Sequence, residues 1–295
     1  MSGLSGAKVL VTGASGVAGR WTCAQLKQRG ALVRAVDVGA PHPDLKETEF
    51  RRCDTRTYSD VREATDGMDA VIHLAAWHCA HNPPVSDATI FGVNVDGTFN
   101  VVQACREAKV KTLAFASSMA YGWGGVYSVT KVIGEDLGRC FHEISRAPVA
   151  LLRPHDFVPK PYLAWGEKLL RNGVDARDIA SGFVAAVDGG LAGKFKILRS
   201  ILHTNHGMPA EVVENFAARG PDWCESQLPG VKALLEKYNF SLPQRVEQHD
   251  MSEAEQVIGW RPQYNFLEFL RDLKARDERG EDVQSLWAAG YLPEN

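Results

Sequence analysis

The stretch Lys8-Val9-Leu10-Val11-Thr12-Gly13-Ala14-Ser15-Gly16-Val17-Ala18-Gly19 decides the fold. Lys8–Thr12 is a short apolar run of the buried-strand type, and Val17–Arg29 carries a helical pattern closed by Gly30. The three glycines between strand and helix have separate tasks. Gly13 permits a tight turn, Gly16 lets the main chain approach a pyrophosphate, and Gly19 lets helix and strand pack closely. The helix N-terminus presents the amides of Ser15, Gly16 and Val17 to the phosphates. A glycine triplet alone says little; a strand before it and a helix after it supply the context that its mechanism demands.

Working outward, Leu32–Asp37 reads as a second strand, and Asp37 ends it about 20 residues beyond the glycines, where a dinucleotide's ribose is bound. A carboxylate there accepts from both adenosine ribose hydroxyls and repels a 2′-phosphate, which favours NAD over NADP. The rhythm continues with a helix at Tyr58–Thr65, a strand at Ala70–Leu74 and a helix at Val93–Ala108. A strand at Thr112–Ala116, a helix at Val126–Ser145 and a strand at Val149–Arg153 complete it. Short apolar strands separated by helix-length segments imply βαβ crossovers. Residues 1–155 are therefore expected to form an α/β, Rossmann-type, doubly wound parallel sheet that binds NAD.

Beyond Pro154 the prolines at 154, 159 and 161 interrupt regular structure. Asp178–Val187 reads as a helix ended by Gly189-Gly190, and Lys194–Leu198 as a short strand. Ser252–Glu255 has capping-box spacing for a helix ending near Gly259. Phe266–Ala275 is amphipathic, and Arg276–Asp282 is a solvated charge run. Residues 156–295 are expected to form a smaller substrate-binding lobe, interleaved with the core.

The 295 residues are 45% apolar and 23% charged, with a formal net charge of −3. That balance gives no electrostatic reason to expect nucleic acid or an anionic membrane. No run approaches the ~20 apolar residues of a membrane span, and no leader pattern precedes the first strand; a cytoplasmic setting is expected. The six cysteines form no CxxC pair and read as free thiols. His73, His78, Cys79 and His81 match no common zinc spacing, and His203 and His206 read as loop residues, so no metal is expected.

The glycine loop joins four further signatures: Cys53-Asp54, His73-Leu74-Ala75-Ala76, Asn94 within VNVDGT, and Tyr127-Ser128-Val129-Thr130-Lys131. Together they resemble the extended short-chain dehydrogenase/reductase family, of the NAD-dependent epimerase/dehydratase type. The resemblance is strong over about residues 7–155 and weaker through Arg177–Ala180 and Gly259–Pro262. It implies that Asp54 and Thr55 lie at the adenine, that Leu74, Ala75 and Ala76 line the nicotinamide-ribose side, and that Asn94 braces the helix beside the active site. It implies Ser118, Tyr127 and Lys131 as the catalytic set, with His155 and Ser118 touching substrate. It also implies a homodimer through the helices carrying Asn94 and Tyr127.

That set can do chemistry. Tyr127 and Lys131 stand one helical turn apart on one face. An ammonium near the phenol, with the positive nicotinamide, favours the phenolate, which can take a proton from a carbinol as hydride leaves for NAD. Tyr121 is a rival base, but Gly125 stands where its lysine would be. The segment Met119–Val126 is short and glycine-rich, so Ser117 is the fallback serine. The reading is an oxidoreductase acting on a carbinol or carbonyl of a small, sugar-like substrate. The alternatives are a nucleotide-sugar epimerase or dehydratase, and a non-catalytic dinucleotide sensor.

Overall fold

Seven strands hydrogen-bond in the order β3-β2-β1-β4-β5-β6-β7, all parallel. They are β1 (Lys8–Thr12), β2 (Leu32–Asp37), β3 (Glu49–Arg52), β4 (Ala70–His73), β5 (Thr112–Ala116), β6 (Val149–Pro154) and β7 (Ile197–Leu202). The computed structural model describes residues 3–79 and 83–288. The expected doubly wound sheet is present, with one strand more than the pattern predicts. β3, Glu-Phe-Arg-Arg, lacks an apolar face because it pairs only with β2 at the sheet edge, where charge is tolerated.

The helices of the first half are α1 (Val17–Gln28), α2 (Tyr58–Thr65), α3 (Asp87–Phe91), α4 (Gly97–Glu107) and α5 (Gly125–Ser145). In the second half follow α6 (Tyr162–Leu169), α7 (Ala176–Leu191), α8 (Ala210–Glu214), α9 (Phe216–Gln227), α10 (Val231–Lys237), α11 (Ser252–Ile258) and α12 (Phe266–Glu278). Alternate strand residues point to opposite faces. Leu10, Val36, Val71, Leu113, Phe115, Val149 and Leu151 share one buried cluster with Val61 of α2, Val101 of α4 and Phe141 of α5. Cys23 and Leu26 of α1 and Phe183 of α7 are buried outside that cluster, and Arg29 ties the end of α1 to Asp188 of α7 at 3.5 Å.

The expected helix stop at Gly189-Gly190 is wrong: α7 runs to Leu191 with both glycines inside it. A Cβ on Gly190 would lie 2.1 Å from Thr112 Oγ1, and one on Gly189 2.7 Å from Ile258 Cγ2. Close packing, not termination, requires them. The helix expected at Val93–Ala108 begins earlier and contains a π turn, Gly92–Asp96, between α3 and α4. Among the described residues no helix is long and apolar enough to cross a membrane. Cys23, Cys53, Cys105 and Cys224 are buried free thiols.

The chain divides into two compact units. The first comprises 1–154, 179–202 and 251–260, so α7, β7 and α11 belong with the sheet. The second comprises 155–178, 203–250 and 261–295. Its core is aromatic: Phe269 packs against Trp165, Tyr162 and Phe240. His203 and His206, read as loop residues, are buried there. Their Nε2 atoms bond the carbonyls of Arg171 and Leu169 at 2.9 and 2.8 Å. Arg276 of the charge run is an ordered part of α12, bridging Asp272 and Glu281.

Candidate active site

The strand order reverses between β1 and β4, and in open α/β sheets the crevice beyond the carboxyl ends at such a point is where ligands bind. The glycine loop leaves β1 there, and Leu74–Trp77 leave β4. Gly13 adopts φ +66°, and a Cβ on it would lie 2.8 Å from the Ala75 nitrogen. A Cβ on Gly19 would lie 2.3 Å from the Gly13 carbonyl oxygen. The chain thus doubles back on itself through positions only glycine can fill. Asp37, ending β2, accepts from the Ser15 amide at 3.0 Å and the Gly39 amide at 3.2 Å, so its carboxylate is fixed beside the start of α1.

A chain of buried polar groups stitches these loops together, and its proton order follows from its ends. The amides of Leu74 and Ala75 donate to Thr12 Oγ1, both at 3.2 Å. Thr98 Oγ1 donates to the Asn94 carbonyl at 2.6 Å. His73 lies between, Nδ1 2.7 Å from Thr12 Oγ1 and Nε2 3.0 Å from Thr98 Oγ1. Because the Thr98 hydrogen is spent on Asn94, His73 Nε2 donates and Nδ1 accepts from Thr12. Burial first, and the nearby Lys131 charge second, pull the His73 pKa down to about 3, so the ring is neutral. The Asn94 side chain accepts from the Trp77 amide at 2.8 Å and donates to the Trp77 carbonyl at 2.9 Å and Thr130 Oγ1 at 3.0 Å. The π turn that carries Asn94 thereby joins the loop after β4 to α5.

Ser118 follows β5, and Tyr127 and Lys131 lie on α5. Burial pushes the Tyr127 phenol up to about 12, against a smaller lowering by the Ser118 side chain. Lys131 is 3% exposed; burial pulls its pKa down to about 8. Its ammonium donates to the Ala116 carbonyl at 2.9 Å and lies 5.5 Å from the centroid of the Tyr127 ring. His78 packs on Tyr127 edge to face, with centroids 4.5 Å apart.

Ser117, the fallback serine, is committed elsewhere. Its hydroxyl donates to Glu135 Oε1 at 2.6 Å. Glu135, 1% exposed, also accepts from Arg153 Nε at 2.7 Å and forms an ion pair with Arg199, 3.1 Å from its Nε. This group ties α5 to β6 and β7 and holds the neighbouring Ser118 in place. Tyr121, the rival base, lies with its ring centroid 3.9 Å from the Arg153 guanidinium carbon.

The remaining expected residues make the following contacts. Asp54 is held by Arg56 through a fork of hydrogen bonds, the shortest 2.6 Å, which keeps its carboxyl below the usual range. Thr55 is buried under α4, its carbonyl accepting from Asn100 Nδ2 at 2.9 Å. His155 belongs to the second unit. His73 and His78 make the contacts given above and Cys79 is exposed, while His81 lies outside the described residues. Thr12, His73, Thr98 and Glu135 were not anticipated as site residues. Polar residues ending the apolar strands KVLVT and AVIH were the available signal for the first two.

Comparisons with known proteins fit this geometry. The family model described as the NAD dependent epimerase/dehydratase family matches residues 9–158, half of the chain. The "Short-chain dehydrogenase/reductase family 42E member 1" of Danio rerio is 36% identical over 118 residues, 39% of this chain and 30% of that protein. The "L-arabinose 1-dehydrogenase (NAD(P)(+))" of Haloferax volcanii is 34% identical over 113 residues, 38% of this chain and 41% of its own length. The matched segment thus spans less than half of these curated relatives. A short-chain dehydrogenase/reductase superfamily protein from Agrobacterium tumefaciens, solved with bound NAD, superposes with a TM-score of 0.67 at 19% identity, covering 93% of this chain and all of that one. On the family match over residues 9–158, the chain belongs to the NAD dependent epimerase/dehydratase family.

Proposed function

We propose that the chain is an NAD-dependent oxidoreductase acting on a carbinol or carbonyl of a small polar, sugar-like substrate, with Tyr127 as acid and base. The observation that carries this reading is the buried ammonium of Lys131, 5.5 Å from the Tyr127 ring centroid, with the Ser118 side chain acting on the same phenol. The first unit also fits the cofactor. Gly13 and Gly19 leave the cradle a Cβ would fill, the start of α1 faces the pyrophosphate with Ser15, Gly16 and Val17, and Asp37 takes the ribose. Leu74, Ala75 and Ala76 line the nicotinamide-ribose side.

Bound NAD supplies the hydride acceptor. The protein's own residues do the rest. Ser118 holds the substrate oxygen, and Tyr127 removes its proton in oxidation or returns one in reduction. Without further positive charge the phenol is a weak acid; Lys131 supplies one charge and the oxidised cofactor a second. Lys131 would also hold the nicotinamide ribose, and Asn94 holds α5 in register through Thr130. In this reading the second unit receives the substrate, beginning at His155. The enzyme works as a cytoplasmic homodimer through the face where Phe91, Phe99 and Val129 stay exposed on α3, α4 and α5.

Incubation with NAD and a panel of free sugars, uronates and nucleotide sugars tests the reading. It expects net NADH release with a member of the panel. Conversion of a nucleotide sugar to its epimer or dehydrated product without net NADH would overturn it in favour of the epimerase or dehydratase alternative.

A further inference from the structure

The second unit gathers imidazoles outside the Ser118–Tyr127–Lys131 set. His155 directly follows β6, His203 directly follows β7, and His249 lies in the extended segment before α11. Their rings converge: centroids are 4.3 Å apart for His155–His203, 4.4 Å for His155–His249 and 5.1 Å for His203–His249. Glu247 enters from the same segment as His249. Its Oε1 is 2.9 Å from His249 Nε2 and 3.8 Å from His155 Nε2. We propose that His155, Glu247 and His249 form a binding site for one divalent transition-metal ion of the zinc class, with a fourth position left to water.

The donor set is the first argument. Two imidazoles and one carboxylate form a recurrent three-ligand environment for zinc with an open coordination position. Spacing is the second. One ligand atom from each residue lies within 4.8 Å of the other two. Tetrahedral ligands about 2.0–2.1 Å from zinc stand about 3.4 Å from one another, and the separations of 2.9 and 3.8 Å bracket that value. Closing on an ion would draw the three side chains together from separations of up to 4.8 Å.

The third argument is an incomplete partner list. His155 Nε2 is buried without a hydrogen-bond partner, on a side chain 2% exposed. Its nearest carboxylate oxygen, 3.8 Å away, is beyond hydrogen-bond range. A buried ring nitrogen left without a partner is uncommon in a native interior and calls for an occupant.

The surroundings hold the ligands still. The Glu247 amide donates to the Leu170 carbonyl at 3.1 Å, and His203, packed on both ligand rings, is anchored on the Arg171 carbonyl. A surface hollow lined by Arg171, Arg245, Val246, Glu247 and Gln248 gives an approach to the carboxylate.

The test uses the whole chain, treated with chelator and titrated with Co²⁺, whose visible d–d bands report coordination, and then with Zn²⁺. The expected result is one cobalt per chain, displaced by zinc, and a zinc-dependent rise in melting temperature. His249→Ala and Glu247→Gln change partly exposed side chains, so the fold should stand, and each should weaken binding by at least about 10-fold. Cys79→Ser should leave it unchanged. Absence of both a cobalt spectrum and a zinc response would overturn the proposal. So would binding that survives the His249→Ala/Glu247→Gln double variant, or that is lost with Cys79→Ser.

Discussion

In the first unit, two sets of buried polar residues meet at the carboxyl end of the sheet, and they handle burial in opposite ways. In the Thr12–His73–Thr98–Asn94 chain each donor has an acceptor, the imidazole is neutral, and one proton order satisfies the whole sequence of bonds. In the Ser118–Tyr127–Lys131 set, burial drives the phenol up to about 12 and the ammonium down to about 8. The first arrangement is stable and inert. The second holds two ionisable groups away from their ordinary values, where a charged partner would change which form burial favours. Changes in the first set should therefore register mainly in stability, and changes in the second mainly in turnover.

The largest effect should follow from Lys131→Met. It removes the charge beside the phenol and the ribose contact together, so turnover should fall by more than the ~10²–10⁴-fold typical of one proton-transfer group, and NAD affinity should fall as well. Melting temperature should hold or rise, since a buried charge is lost. A melting temperature lowered in proportion to the activity would break the division between the two sets.

Glu135→Ala should do the reverse. Stripping the carboxylate from Ser117, which is buried, and from Arg153 and Arg199, which reach solvent, should cost about 1–3 kcal/mol, readable by denaturant unfolding. A change under 1 kcal/mol would show that this group is not holding α5 to β6 and β7.

Asp37→Ala touches neither set. Calorimetric titration should show NAD binding more tightly than NADP to the unmodified protein. The substitution should narrow the gap by about 1.5–3 kcal/mol, the worth of hydrogen bonds to a charged group. Equal affinities before substitution would refute the role given to Asp37.

Acid gives a test that needs no substitution. Burial pulls His73 and His155 down to about 3, and His203 and His206 to about 4. Unfolded, each titrates near 6.5, so between that value and the folded one the unfolded chain binds more protons. Stability is therefore complete above pH 6.5 and is lost as pH falls toward 4, by up to about 1.4 kcal/mol per pH unit for each histidine. A melting temperature flat from pH 7 to pH 5 would contradict the burial of these rings as neutral groups.

Much of the first unit was legible because its chemistry is local. Gly13 and Gly19 lie where a Cβ would strike the main chain, and Tyr127 and Lys131 share a helix face by spacing alone. The misses have physical causes. β3 hides as a charged edge strand, and Gly189-Gly190 looks like a helix stop when it is a packing contact. In the second unit, α9 carries Pro221 within it, and α10 starts from Gly230 in the left-handed region, so neither presents a clean helical pattern. The His155, Glu247 and His249 group is assembled from distant positions, and no local spacing could reveal it.

Tyr127→Phe tests the central claim most directly, since it keeps the ring against His78 and deletes only the ionisable hydroxyl. On a substrate identified by NADH release, turnover and NAD affinity would be measured side by side with the melting temperature. The expected result is a loss of ~10²–10⁴-fold in turnover, with NAD affinity and melting temperature essentially unchanged. Near-normal turnover would show that another group moves the proton, and the assignment of Tyr127 as acid and base would fall.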